Sequence, residues 1–158
     1  MYPELQALIH EAEFQYLNQE NLNQFSQEIS TLKNRIAAYK LLRDEEISIF
    51  QEIADDVVIK FPKENPKKIE TAIRHWLLIT RYSAMAMMLN NHEFLEHRLL
   101  EWLTDIVQAH QSEAIFSTIY SLLIAKLTEV FSNDELNHLQ PFLAQANDYL
   151  MNTSVLAN

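Results

Sequence analysis

The chain reads as a single all-α domain, and three features of the sequence predict it. Apolar residues recur every three or four positions along nearly the whole length, the spacing of one helix face. None of the 158 residues is glycine, so the positive-φ positions of hairpins and bulges lack their usual occupant. With 48% hydrophobic residues the chain can bury a core rather than stay disordered.

Element by element, Tyr2 to about Tyr16 predicts a first helix, with Pro3 where a missing N–H costs nothing. Short second and third helices are expected over Glu20–Ile29 and Thr31–Leu42. A fourth follows, in which Ile47, Phe50, Ile53, Ala54, Val57, Val58 and Phe61 share helical spacing. Phe61-Pro62-Lys63-Glu64-Asn65-Pro66 is the strongest break. Asn65 can cap and Pro66 can open a long fifth helix reaching about Asn90. Asn90-Asn91 stands in for glycine at its end, since Asn tolerates the left-handed region better than other residues with side chains. A sixth helix carries Phe94, Leu95, Leu99, Trp102, Leu103, Ile106 and Val107, and a seventh runs from about Ser112 to Phe131. Ser132 and Glu135 form a capping box for the last helix, which Pro141 is expected to kink or restart.

Composition narrows the function. Twelve Lys+Arg against 22 Asp+Glu leave a net charge of −10, which argues against a nucleic-acid partner because phosphate binding needs cations to displace counterions. Without glycine there is no P-loop, dinucleotide fingerprint or nucleophile elbow. Without cysteine there is no disulfide, thiolate metal site, thiol nucleophile or thioether-linked cofactor. The N-terminal residues lack the charged flank and apolar run of a signal peptide. Uncharged stretches such as Ala114–Ala125 fall short of the roughly 18–20 residues of a membrane span. A cytoplasmic protein with no transmembrane segment is expected.

Individual motifs mostly admit plain readings. His92-Glu93-Phe94-Leu95-Glu96-His97 is not a zinc protease box, because the residue four beyond His92 is Glu96 and not a histidine. Glu135-x-x-His138 is half of a di-iron carboxylate pattern whose second copy is missing. No metal site and no catalytic constellation emerges, so an enzyme is not expected. Lys60, Lys63, Lys67 and Lys68 stand out on an acidic chain, either as a solvated loop or as an anchor for the carboxylates of a ligand or partner. Met85, Met87 and Met88 share the long helix with Trp76 and Tyr82, a pattern of core packing or of an adaptable pocket. Arg74 and Arg81 lie two turns apart on one face of that helix, and His75 lies on the face of Ala72 and Ile79.

Taken together, Ala12-Glu13-Phe14-Gln15-Tyr16-Leu17, then Leu22, then Arg35-Ile36-Ala37-Ala38, then Ile49 through Ala54-Asp55 to Phe61-Pro62, resemble the N-terminal half of phycobiliprotein subunits. The likeness, carried by spacing and helix order, extends over about residues 8 to 150. It implies a globin-like helical core over 31–158 preceded by an N-terminal helical extension over 1–30. In that family the long helix carries a Cys-x-Arg-Asp run, then an arginine, then an Ala-Gly-Asp turn. Ungapped alignment on Arg81 and the Leu89-Asn90-Asn91 turn brings Arg74 onto the motif arginine. The attachment cysteine then falls at Ala72, and the aspartate that grips the bilin nitrogens falls at His75.

The resemblance therefore implies an antenna-type scaffold without covalent pigment. It would act by association with phycobiliproteins or phycobilisome linker components, in the cytoplasm or at the thylakoid surface. In the family the N-terminal extension packs on that of a second subunit. Leu5, Leu8, Ile9, Phe14 and Leu17 are accordingly expected to be exposed on a monomer and covered in a homodimer or heterodimer. The alternative is a carrier or sensor holding haem or free bilin non-covalently, through Arg74, His75 and Arg81.

Overall fold

The structure is a computed structural model that describes residues 3–109 and 113–155. Those residues are helical nearly throughout and contain no strand. The helices are α1 (Pro3–Ala12), α2 (Gln19–Lys60), α3 (Pro66–Leu89), α4 (His92–Leu95), α5 (Glu101–Ala109), α6 (Glu113–Val130) and α7 (Asn133–Val155). A π-helical turn, Glu96–Leu100, joins α4 to α5. The expected helix starts at Tyr2 and Ser112 lie outside the described residues.

Local signals hold where they are chemically specific. The Asn65 side chain accepts from Lys67 N at 3.0 Å, with Pro66 in the first turn of α3. At the other end Asn90 adopts φ 46°, ψ 48° and closes the helix through bonds to Ala86 and Met87 carbonyls. Glu135 Oε2 accepts from both the N–H and the hydroxyl of Ser132, while Glu135 N donates to Ser132 Oγ, completing the capping box.

Two expectations need correction. The second, third and fourth helices are one helix, α2, of 42 residues, roughly 63 Å long. No proline interrupts it, and Thr31, where a boundary was expected, helps hold it together. Arg35 turns back along the helix to Thr31 Oγ1 at 3.2 Å and Glu28 Oε2 at 3.4 Å. Residue 30 thus lies inside a continuous helix. The first helix ends at Ala12 rather than Tyr16. The last runs through Pro141 without a restart. Pro141 and Asn137 are both exposed, so the carbonyl that loses its N–H partner faces water and the loss costs less than it would inside.

The core forms where α2, α3, α6 and α7 pack on one another. Ile53, Val57, Trp76, Ile79, Met87, Phe116, Ile119, Leu123, Leu139 and Leu143 are fully sealed in it. From α5 and its preceding turn, Leu99, Leu100 and Leu103 join this core, but Trp102 and Ile106 stay exposed. Helix α1 folds back on α2, and Asn21 Nδ2 donates to Glu11 Oε2 at 2.8 Å across the bend. No helix among the described residues is long and apolar enough to cross a membrane.

Candidate functional site

Helix α3 presents two faces. The inner one is mostly apolar: Ile69, Ala72, Trp76, Ile79, Ala84, Ala86 and Met87 are buried, and Thr80 and Ser83 are buried with them. Trp76 is its centre. The indole Nε1 donates to the Phe116 carbonyl at 3.0 Å, and the ring lies 5.4 Å from that of Phe116 and 5.5 Å from that of Tyr120. Burial, then the charge of Asp148, pushes the Tyr120 phenol above its ordinary pKa. Of the methionines, Met87 is core, Met88 is half-buried and Met85 is exposed.

The three residues expected to meet a ligand are not brought to one site. Half-buried His75 faces α6, its ring 6.3 Å from that of Phe116. Arg74 is exposed and pairs with Glu70 one turn back at 2.6 Å. Arg81 reaches α2, where Nε and Nη2 each donate to a Glu46 carboxylate oxygen at 2.7 Å. That two-pronged bond, with the carboxylate's charge, raises the Arg81 pKa above its already high value. Arg81 and Glu46 border a cleft of about 280 Å³ with Tyr39, Leu42, Arg43 and Ala84. Glu46 carried no signal in the sequence, because its partner is 35 residues away.

The N-terminal pair is built differently. Of the five apolar residues expected on its surface, Ile9 and Phe14 are exposed, at 45% and 77%. Leu5 and Leu17 are half-buried. Leu8 corrects the expectation: it is 5% exposed within a single chain, because α1 folds that side onto α2. Helix α2 adds residues that the sequence reading missed. Leu22, Phe25, Ile29, Leu32 and Ile36 alternate by three and four, the stripe of a coiled-coil seam, and none of them is fully buried. The signal was present but was divided between two expected helices.

Fold and geometry together define an all-α scaffold protein with a sealed central helix and an apolar N-terminal edge. Residues 8–116 match the family described as Phycobilisome protein. The chain belongs to that family, and its fold is the globin-like helical core with an N-terminal helical pair. No curated protein matches it.

A covalently held bilin does not fit these residues. The chain has no cysteine, and Ala72, at the position aligned with the attachment cysteine, is 1% exposed in the core. Imidazole replaces the aligned carboxylate at His75, and both arginines already hold carboxylates of this chain.

Proposed function

We propose that the protein is a non-pigmented member of the phycobilisome family that works by protein–protein association. Its partners are phycobiliproteins or phycobilisome linker components, and its role is in assembly, remodelling, turnover or regulation of light harvesting. The observation that carries this reading is the pairing of a retained antenna scaffold with a cysteine-free chain and a core-sealed Ala72. The exposed edge of α1 and α2 supports it further, because apolar side chains presented together mark an interaction surface. We take the same edge to be the dimer contact, with a second copy or with an antenna subunit. Such a protein acts where phycobilisomes are, at the thylakoid surface.

Tagged protein mixed with intact phycobilisomes should retain a phycobiliprotein or a linker. Recovery of neither would end the proposal. In parallel, haem and free bilin added to the purified protein should give no shifted visible band. The guanidinium groups of Arg74 and Arg81 would have to exchange an internal carboxylate for a propionate, with little net gain. A band that disappears in His75→Ala would instead establish the non-covalent tetrapyrrole carrier.

A further inference from the structure

The turn between α2 and α3 differs in charge from the rest of the molecule. Four of the chain's 12 Lys+Arg fall between residues 60 and 68, against one carboxylate, Glu64, in a protein of net charge −10. Glu64 is engaged with Lys68 at 3.6 Å. Lys60, Lys63 and Lys67 are exposed and have no acidic partner among the described residues. Directly before them, on the last turn of α2, Val58 and Ile59 are 55% and 75% exposed. Two adjacent β-branched side chains are thus exposed just before three lysines that make no ion pair among the described residues, with Asp55 and Asp56 one turn further back on α2.

This corner is also stiff. Phe61 packs on the core and its N–H bonds to the Val57 carbonyl at 2.9 Å. Glu64 N donates to the Phe61 carbonyl at 3.1 Å, and Asn65 caps α3. Pro62 and Pro66 fix two backbone angles between the helices. Lysines on such a frame lose less freedom on binding than lysines on a floppy loop.

We propose that Val58, Ile59, Lys60, Lys63 and Lys67 form a docking surface for an acidic protein surface with an apolar centre. Charge complementarity selects the occupant. A partner carrying carboxylates around aliphatic side chains satisfies both halves of the patch. An anionic bilayer is a poorer fit. The patch exposes no aromatic ring to seat at the headgroups. The surface is separate from the N-terminal edge, whose last stripe residue, Ile36, lies roughly 33 Å along α2 from Val58. Both can therefore be occupied at once, and neither depends on the other.

The test uses two fluorescent peptides of equal negative charge, polyglutamate and a glutamate peptide with interspersed leucines, with anisotropy read at two salt concentrations. The leucine-bearing peptide should bind the full chain about tenfold tighter than polyglutamate. Both should weaken as salt rises. Combined Lys60→Glu, Lys63→Glu and Lys67→Glu should cost about tenfold or more. Val58→Ser with Ile59→Ser should bring the two peptides to parity. Lys33→Glu with Lys40→Glu, exposed positions elsewhere on α2, should change nothing. Four results would overturn the proposal: equal binding of both peptides to the wild type, an equal loss in the Lys33/Lys40 control, binding to phosphatidylglycerol vesicles but to neither peptide, or a self-association that the triple lysine variant abolishes.

Discussion

The inner face of α3 and the N-terminal edge of α1–α2 are built from similar residues and finished in opposite ways. On α3 every large apolar group at the centre has a partner within the chain: Trp76 has Phe116 and Tyr120, and the indole N–H has a carbonyl. Even the outward arginines are neutralised internally, by Glu70 and Glu46. On the N-terminal pair, Ile9, Phe14, Leu22 and Ile29 remain in water at 45%, 77%, 47% and 47%. A face meant to receive a small molecule needs unsatisfied groups around a cavity, and an interface needs uncovered apolar area. The first condition is absent at Trp76 and the second is met at the N-terminus. The contrast supports the proposed role in association.

The largest test of the contrast is Trp76→Ala. In a sealed core it should cost about 3–5 kcal/mol, because removal of the indole leaves a cavity. Denaturant unfolding followed by circular dichroism measures this. A loss below about 1 kcal/mol would mean that the α3 face is loosely packed and open to a ligand, which would break the comparison.

The opposite signature is expected at the edge. Ile9→Ser with Phe14→Ser should change stability by less than about 0.5 kcal/mol, since neither side chain is buried. Association with phycobilisome components, or with a second copy, should weaken about tenfold or more if these residues are interface anchors. Sedimentation and pull-down read that effect. Unfolding at a markedly lower denaturant concentration would show that the edge is part of the monomer's own core.

How much of this was legible in the sequence depended on the range of the interactions. The caps at Asn65 and Ser132 and the left-handed Asn90 are set by residues within four positions, and each appears where the sequence placed it. The 42-residue α2 was not legible. Breaks were expected after Ile29 and after Leu42, but no proline removes a backbone donor at either place, and tertiary packing carries the helix through both. Leu8 looked like its neighbours Leu5 and Ile9, and only the direction in which α1 folds onto α2 sets it apart. Glu46 became the partner of Arg81 through a contact across 35 residues. The family likeness located Ala72, Arg74 and His75 by position along α3. It could not say that the arginines are already occupied, because their carboxylates come from the tertiary fold and from ordinary helix spacing.

A smaller effect sharpens the electrostatic half of the comparison. Arg81→Met should destabilise by about 1 kcal/mol or less, because the pair is partly exposed and its attraction is screened. The paired change Arg81→Met with Glu46→Leu should recover most of that loss, since neither charge is then left alone. Were Arg81 instead reserved for a ligand, its removal would leave stability unchanged or raise it, by relieving a strained site.

The smallest expected effect belongs to Tyr120, whose phenol is raised above its ordinary pKa chiefly by burial beside Trp76 and secondarily by Asp148. The folded state holds this proton more tightly than the unfolded state does. Its contribution to stability is therefore complete below the unfolded tyrosine value of about 10 and is lost as pH rises through the higher folded value. Tyr120→Phe should remove that part of the alkaline loss, so the stability curves of variant and wild type should diverge only above about pH 10. Tyrosinate absorbance titrations of the two proteins should differ by one phenol that ionises late. A difference spectrum showing that phenol ionising at or below the ordinary value would mean that this half-buried ring is not packed on Trp76 as the structure has it. The α3 face would then be open where its neighbours Trp76 and Phe116 make it closed, and the distinction between a sealed core and an exposed edge would fail at its centre.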